Sequence, residues 1–154
     1  MMTDLMLTRR ALESLSDDRI AVDLQSASGD LRLASGRANL AQAILNRLFT
    51  RQGELTGLGH PDYGSRLYQL IGEPNIRRTH ALADLYIREC LAQEERIEEV
   101  ITIAMTPASL RPDLRASLRA DPRSLLEIQI TVRPIEALDA TQLLTLSLKM
   151  NLEG

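Results

Sequence analysis

Three late segments of this chain alternate apolar and polar residues, and that alternation limits its folding options more than any other feature. Ile101, Ile103 and Met105 alternate with Thr102 and Ala104. Leu126, Ile128, Ile130 and Val132 alternate with Glu127, Gln129 and Thr131, and Leu144, Leu146, Leu148 and Met150 with Thr145, Ser147 and Lys149. A period of two sends successive side chains to opposite faces of a strand. Strands are therefore expected over 97–106, 124–133 and 142–150. They would build a sheet that is apolar on one face only, and such a face needs a cover.

The segments upstream can supply that cover. Leu40, Ala41, Ile44, Leu45, Leu48 and Phe49 recur at helical spacing, with Gln42, Asn46 and Arg47 opposite, so 38–50 reads as an amphipathic helix capped by Ser35 or Asn39 and ended by Gly53. Residues 53–64 hold four glycines and a proline, which implies an irregular loop. A short helix at 65–71 is broken by Gly72-Glu73-Pro74. Asn75 then caps a long helix to about Gln93, with a seam of Ile76, His80, Ala83, Ile87, Cys90 and Leu91 and an Asp84–Arg88 pair on the wet side. The expected fold is α+β: a small antiparallel sheet covered on one face by amphipathic helices. Between the first two alternating segments, Leu110, Leu114 and Leu118 and a parallel row of Arg111, Arg115, Arg119 and Arg123 suggest a short helical excursion. That arginine row reads as a solvated face or as a site for an acidic partner.

The start of the chain is less regular. Residues 1–16 read as a leader with a short helix around Thr8–Leu15, ahead of a domain over 17–154. Ile20, Val22 and Leu24 alternate, 26–30 is a turn, and Leu31–Leu33 returns, which makes a hairpin.

Bulk properties narrow the functional classes. At 154 residues the chain suits one core, and with 3% aromatic residues and no Trp that core must be aliphatic. A net charge of -3 argues against general nucleic-acid binding, and no apolar run approaches the ~20 residues of a membrane span. Cys90 is the only cysteine, so no intrachain disulfide forms and a reducing cytoplasm is the default location.

The sequence carries few chemically reactive constellations. Two histidines and one cysteine, far apart, do not make a zinc site, and no metal or cofactor is expected. Neither a phosphate-cradling Gly-Lys-Ser/Thr nor a Gly-x-Ser-x-Gly elbow is present. Gly57-Leu58-Gly59 starts like a dinucleotide fingerprint, but Asp62 stands where the third glycine belongs. Glu54 and Asp62 flank the glycine loop beside His60, and paired carboxylates are the tools of glycosidases; acids in a loop are more simply loop chemistry. His80 reads as a hydrogen-bonded boundary histidine and Cys90 as an inert apolar residue. Arg96, among Glu94, Glu95, Glu98 and Glu99, is placed to lock a helix-to-strand junction, or is simply exposed.

One block is more specific. Thr50-Arg51-Gln52-Gly53-Glu54 followed by Pro61-Asp62-Tyr63-Gly64-Ser65-Arg66-Leu67 resembles the Thr-x-x-Gly-Glu…Pro-x-(Tyr/Phe)-Gly-Ser-x-Leu signature of the gene-product-twenty-five-like baseplate wedge family. That family occurs in contractile phage tails, tailocins, extracellular contractile injection systems and type VI secretion baseplates. Gln42-Ala43-Ile44, Arg47-Leu48 and Glu94-Glu95-Arg96-Ile97 also match, over roughly residues 17–150. Glu95 stands where the family usually has Pro, so the sequence does not assure the rigid turn that Pro would impose. The resemblance implies a non-enzymatic structural protein of the inner baseplate, six copies per baseplate, in a phage-tail-like particle assembled in the cytoplasm. It implies contacts to other wedge proteins through Glu94 and Arg96. It also implies a sheet edge presented to the first sheath ring, for which the strand bearing Leu144, Thr145, Leu146, Ser147 and Leu148 is the candidate. A neighbouring strand could hold the free edge instead. Gly53, Glu54, Pro61, Tyr63 and Gly64 would form the structural loop. No nucleic acid, membrane insertion or cofactor is implied. Because some family members carry a lysozyme label, a cell-wall hydrolase using Glu54 is the alternative reading.

Overall fold

The structure is a computed structural model, described here for residues 3–9, 22–24, 26–27, 30–31, 33–107, 124–135 and 142–152. The expected helical excursion at 107–122 and its arginine row lie almost wholly outside the described residues.

The three alternating segments form one antiparallel sheet. Strands β7 (Ile97–Pro107), β8 (Leu125–Pro134) and β9 (Leu144–Asn151) stand in the order β7-β8-β9. Leu126, Ile128, Ile130 and Val132 of the central strand are each fully buried, whereas Gln129 faces solvent. This is the expected register, which a slip of one residue would invert. On β9, Leu146, Leu148 and Met150 face the core, and the Thr131 and Thr145 hydroxyls meet at 3.1 Å on the wet side. Ile101 departs from expectation. The register shifts between Val100 and Thr102, and Val100, Ile103 and Met105 are the residues that pack on the core. Ile101 is the extra residue of a bulge, where local twist overrides strict alternation.

Two helices cover the apolar face. Helix α1 (Gly36–Phe49) buries Asn39, Leu40, Ile44 and Leu48. Helix α2 (Arg77–Leu91) buries Thr79, Ala83, Ile87, Cys90 and Leu91. Leu67 and Leu70, from a short 3-10 helix at Leu67–Leu70, complete one aliphatic cluster with the sheet. The α2 seam differs from expectation at its start. Ile76 is the N-cap residue and is 50% exposed, and Thr79 takes the inward position, donating from Oγ1 to the Pro74 carbonyl at 2.6 Å. Asn75 does not cap the helix; its Oδ1 lies 2.6 Å from His80 Nε2. His80 is the expected hydrogen-bonded boundary histidine, with a pKa lowered by burial. Helix α1 ends at Phe49, four residues before Gly53, with Thr50 closing it through both its N–H and its hydroxyl onto the Asn46 carbonyl.

The N-terminal region is a set of short antiparallel pairs. β1 (Thr3–Leu5) pairs with β6 (Leu33–Ser35), β2 (Leu7–Arg9) with β3 (Val22–Leu24), and β4 (Ser26–Ala27) with β5 (Asp30–Leu31). The expected hairpin is not the one that forms: Val22–Leu24 pairs with β2 and Leu33–Ser35 with β1, Ser26–Ala27 and Asp30–Leu31 pair within the stretch expected to be the turn, and Thr8 and Arg9, expected in a helix, are strand. Two- and three-residue strands show too little periodicity to announce themselves. Gln42 donates from Nε2 to the Leu5 carbonyl at 2.8 Å, tying β1 to α1.

The central strand carries the core, so it should dominate stability. Ile130→Ala is expected to cost about 2–5 kcal/mol, and Gln129→Ala to stay within ~0.5 kcal/mol, both read as midpoint shifts in urea unfolding.

Candidate functional site

The signature residues form a closed loop at the end of α1. Its neck is a parallel bridge between Arg51 and Ser65. Ser65 donates to the Thr50 carbonyl at 2.9 Å, and Gln52 to the Ser65 carbonyl at 3.0 Å. Gly64 makes the neck possible. It has φ +108°, and a Cβ there would sit 2.6 Å from the Thr50 carbonyl oxygen. Ser65 is buried, with its hydroxyl on the Leu48 carbonyl at 2.6 Å, and Leu67 is fully buried in the core. Gly53 has φ +89°, in the left-handed region that suits glycine. Glu54 turns its carboxylate back onto the Arg51 N–H at 3.1 Å. Pro61 lies on the exposed tip, where Leu58 is 74% exposed. Glu54, the tempting acid, is a local acceptor within the loop.

Tyr63 connects this loop to the junction. The Arg47 guanidinium stacks 4.5 Å above its ring, donates from Nη1 to Gln93 Oε1 at 3.2 Å, and places Nη2 3.8 Å from Glu94 Oε2. The other oxygen of Glu94 accepts from Arg96 Nε at 2.7 Å, and Arg96 Nη1 donates to the buried Asn39 Oδ1 at 2.8 Å. One carboxylate therefore joins α1, the end of α2 and the start of β7. The backbone closes the same junction: Ile97 donates to the Glu94 carbonyl at 3.0 Å, a four-residue turn with Glu95 at its second position. That is where proline is favoured in common turns, and the turn forms here without it. Sequence spacing could not reveal the Asn39 and Arg47 partners, which lie 57 and 47 positions from Arg96 and Glu94.

The sheet ends in two unlike edges. Leu152 donates to the Ser124 carbonyl at 2.9 Å. Antiparallel residue pairs alternate between bonded and non-bonded, so Thr131–Thr145, Gln129–Ser147 and Glu127–Lys149 are non-bonded pairs. The backbone N–H and C=O groups of Thr145, Ser147 and Lys149 consequently point outward. The same alternation carried across β8 turns the Val100 carbonyl outward on β7, and Arg88 Nη1 lies 3.4 Å from it. The β7 edge is thus broken by register shifts and approached by Arg88, whereas β9 keeps eight consecutive pairs without a shift. Among the described residues no strand lies beyond β9, and no group of three or more His, Cys, Asp or Glu side chains could hold a metal.

The family model for baseplate wedge protein gp25 matches residues 34–123, more than half of the chain. That span holds α1, the signature loop, α2, the junction and β7, and stops short of β8 and β9. A crystal structure from Geobacter sulfurreducens, provisionally described as a tail lysozyme, superposes with a TM-score of 0.59 at 21% identity, covering 79% of this chain and 95% of that one. At that identity the likeness is one of fold. No curated protein is significantly similar in sequence.

The junction yields two expectations. Arg96→Ala removes the Nε bond to Glu94 and the Nη1 bond to Asn39 and should cost roughly 1.5–3 kcal/mol; Arg96→Lys should not restore it, since an ammonium cannot span both partners. The buried Cys90 thiol, pushed up to about 12 by burial with Arg47 pulling weakly the other way, provides the readout: iodoacetamide labelling should be slow in the parent at mildly alkaline pH and faster in Arg96→Ala. Glu95→Pro should stabilise the protein by about 0.4–1 kcal/mol, because the unfolded chain loses freedom that the turn does not need.

Proposed function

Because the chain belongs to the baseplate wedge protein gp25 family, we propose that it is a non-enzymatic structural component of the baseplate of a contractile injection system. In this reading it anchors the first sheath ring by accepting a donated strand on β9. The observation that carries the reading is the outward row of backbone groups at Thr145, Ser147 and Lys149 on a long strand with no register shift. Natural sheets blunt such edges with proline, bulges or charge; β7 has register shifts along its length, whereas β9 has neither proline nor shift and Lys149 as its one charge. Strand addition draws its affinity from main-chain bonds. Leu144, Leu146 and Leu148 would extend their apolar face under the incoming strand.

The junction serves a second contact in this proposal. Arg96 spends Nε and Nη1 inside the chain and keeps Nη2 for a carboxylate of a neighbouring wedge protein. Six copies would then ring the tube, assembled in the cytoplasm. No described helix is long and apolar enough to cross a membrane.

The lysozyme description of the structural neighbour motivates a hydrolase as the alternative. The geometry favours the structural role, since the Glu54 carboxylate serves its own loop. Purified protein is expected to leave a peptidoglycan suspension turbid; clearing that is lost in Glu54→Gln would reverse this reading.

Proline tests the edge directly. At Thr145 or Ser147 it removes an outward N–H and no bond to β8. Both variants should fold, with sheath nucleation reduced at least tenfold in particle counts by electron microscopy, while Thr145→Ala behaves as the parent. Unimpaired sheaths from both proline variants would exclude β9 as the anchor.

A further inference from the structure

The β9 edge is closed at both ends. At one end the Arg37 guanidinium donates to the Leu143 carbonyl. At the other, Gly72 donates its N–H to the Leu152 carbonyl at 2.6 Å, so the 71–74 turn lies against the strand's exit. Between these stops the outward-pointing residues Thr145, Ser147 and Lys149 offer one N–H and one C=O each.

The two faces of this window differ along its length. On the core side, exposure rises steadily from Met150 at 0% through Leu148 at 4% to Leu146 at 8%, and Leu144 is only partly buried. The apolar face is thus sealed at the Gly72 end and open at the Arg37 end. On the outer side, Thr145 and Ser147 are exposed hydroxyls and Lys149 is a cation opposite Glu127 of β8. A carboxylate on the far flank of Lys149 would complete a three-strand acid–base–acid row.

We propose that this window selects its occupant: an extended segment of another chain, about seven residues long, with apolar side chains beside Leu144 and Leu146 and a carboxylate beside Lys149. The proposal rests on the strand-addition reading and adds the bounds and chemistry of the donor. Arg37 and Gly72 set the length, the apolar gradient fixes which end carries the large aliphatic residues, and Lys149 fixes the position of the acid.

The test uses two blocked peptides of about seven residues that alternate Val with Thr. One polar-face end position is Glu in the first peptide and Lys in the second. Each is titrated into the full chain and into Lys149→Glu, and binding is followed by amide hydrogen exchange. The parent should bind the Glu peptide more tightly by roughly threefold to tenfold, as cross-strand charge pairs allow, and Lys149→Glu should invert that preference. Exchange should slow at Thr145, Ser147 and Lys149 and stay unchanged at Ile103 and Met105 on β7. Protection of β9 without a charge preference would overturn the window and leave strand addition standing. Protection of β7 instead, or of neither edge by either peptide, would overturn both.

Discussion

Glu94 takes an arginine toward each of its oxygens, and the arrangement of the fold hangs on that sharing. Aliphatic packing of α1 and α2 on the sheet is strong but non-directional, since burial rewards any close cover of the apolar face. The carboxylate supplies direction. Arg47 comes from α1, Arg96 from the entrance to β7, and Asn39 reaches back to Arg96 from the start of α1. A buried ionic set of this kind adds little net stability over a well-packed apolar one, yet it is costly to break by halves. Here it fixes the angle at which two helices meet a sheet.

How much of this was legible in the sequence depended on how local the controlling physics was. The faces of β8 and β9 could be read residue by residue, because alternation and burial agree from Leu126 to Val132 and from Leu144 to Met150. β7 could be placed but not faced throughout, since a bulge at Ile101 leaves no mark in composition. The inward turn of Thr79 in place of Ile76 followed from a carbonyl, that of Pro74, whose direction no periodicity reports. Within the signature block, the residues could be recognised as a set, but their reasons could not. Gly64 is required by a carbonyl thirteen and more residues earlier in the chain, and Tyr63 by an arginine on the preceding helix. Glu95 shows the converse: a departure from the family pattern that the backbone absorbs, because the Glu94–Ile97 bond closes the turn alone.

The tyrosines tell a related story about scarcity. The chain has three, and each lies beneath an arginine: Tyr63 under Arg47, Tyr68 under Arg51 and Tyr86 under Arg66. All six residues belong to α1, the signature loop with the short helix that follows it, or α2. The aliphatic core holds no aromatic ring at its centre, so the rings work at its border. There a planar cation can stack on them while its nitrogens reach polar partners. Arg66 does this with Glu89, as Arg47 does with Gln93.

The signature loop is pinned at its neck and at Tyr63. Gly64, Ser65 and the Arg51 bridge hold the neck, while 57–62 stand in solvent. Closing a loop costs entropy that grows only with the logarithm of its length, about 0.6 kcal/mol for each doubling. Extra chain spliced in at the tip therefore asks little of the fold, provided the neck is kept. The tip is a natural grafting point, where a reporter peptide or a whole accessory domain could ride on the protein without disturbing the lock beneath it.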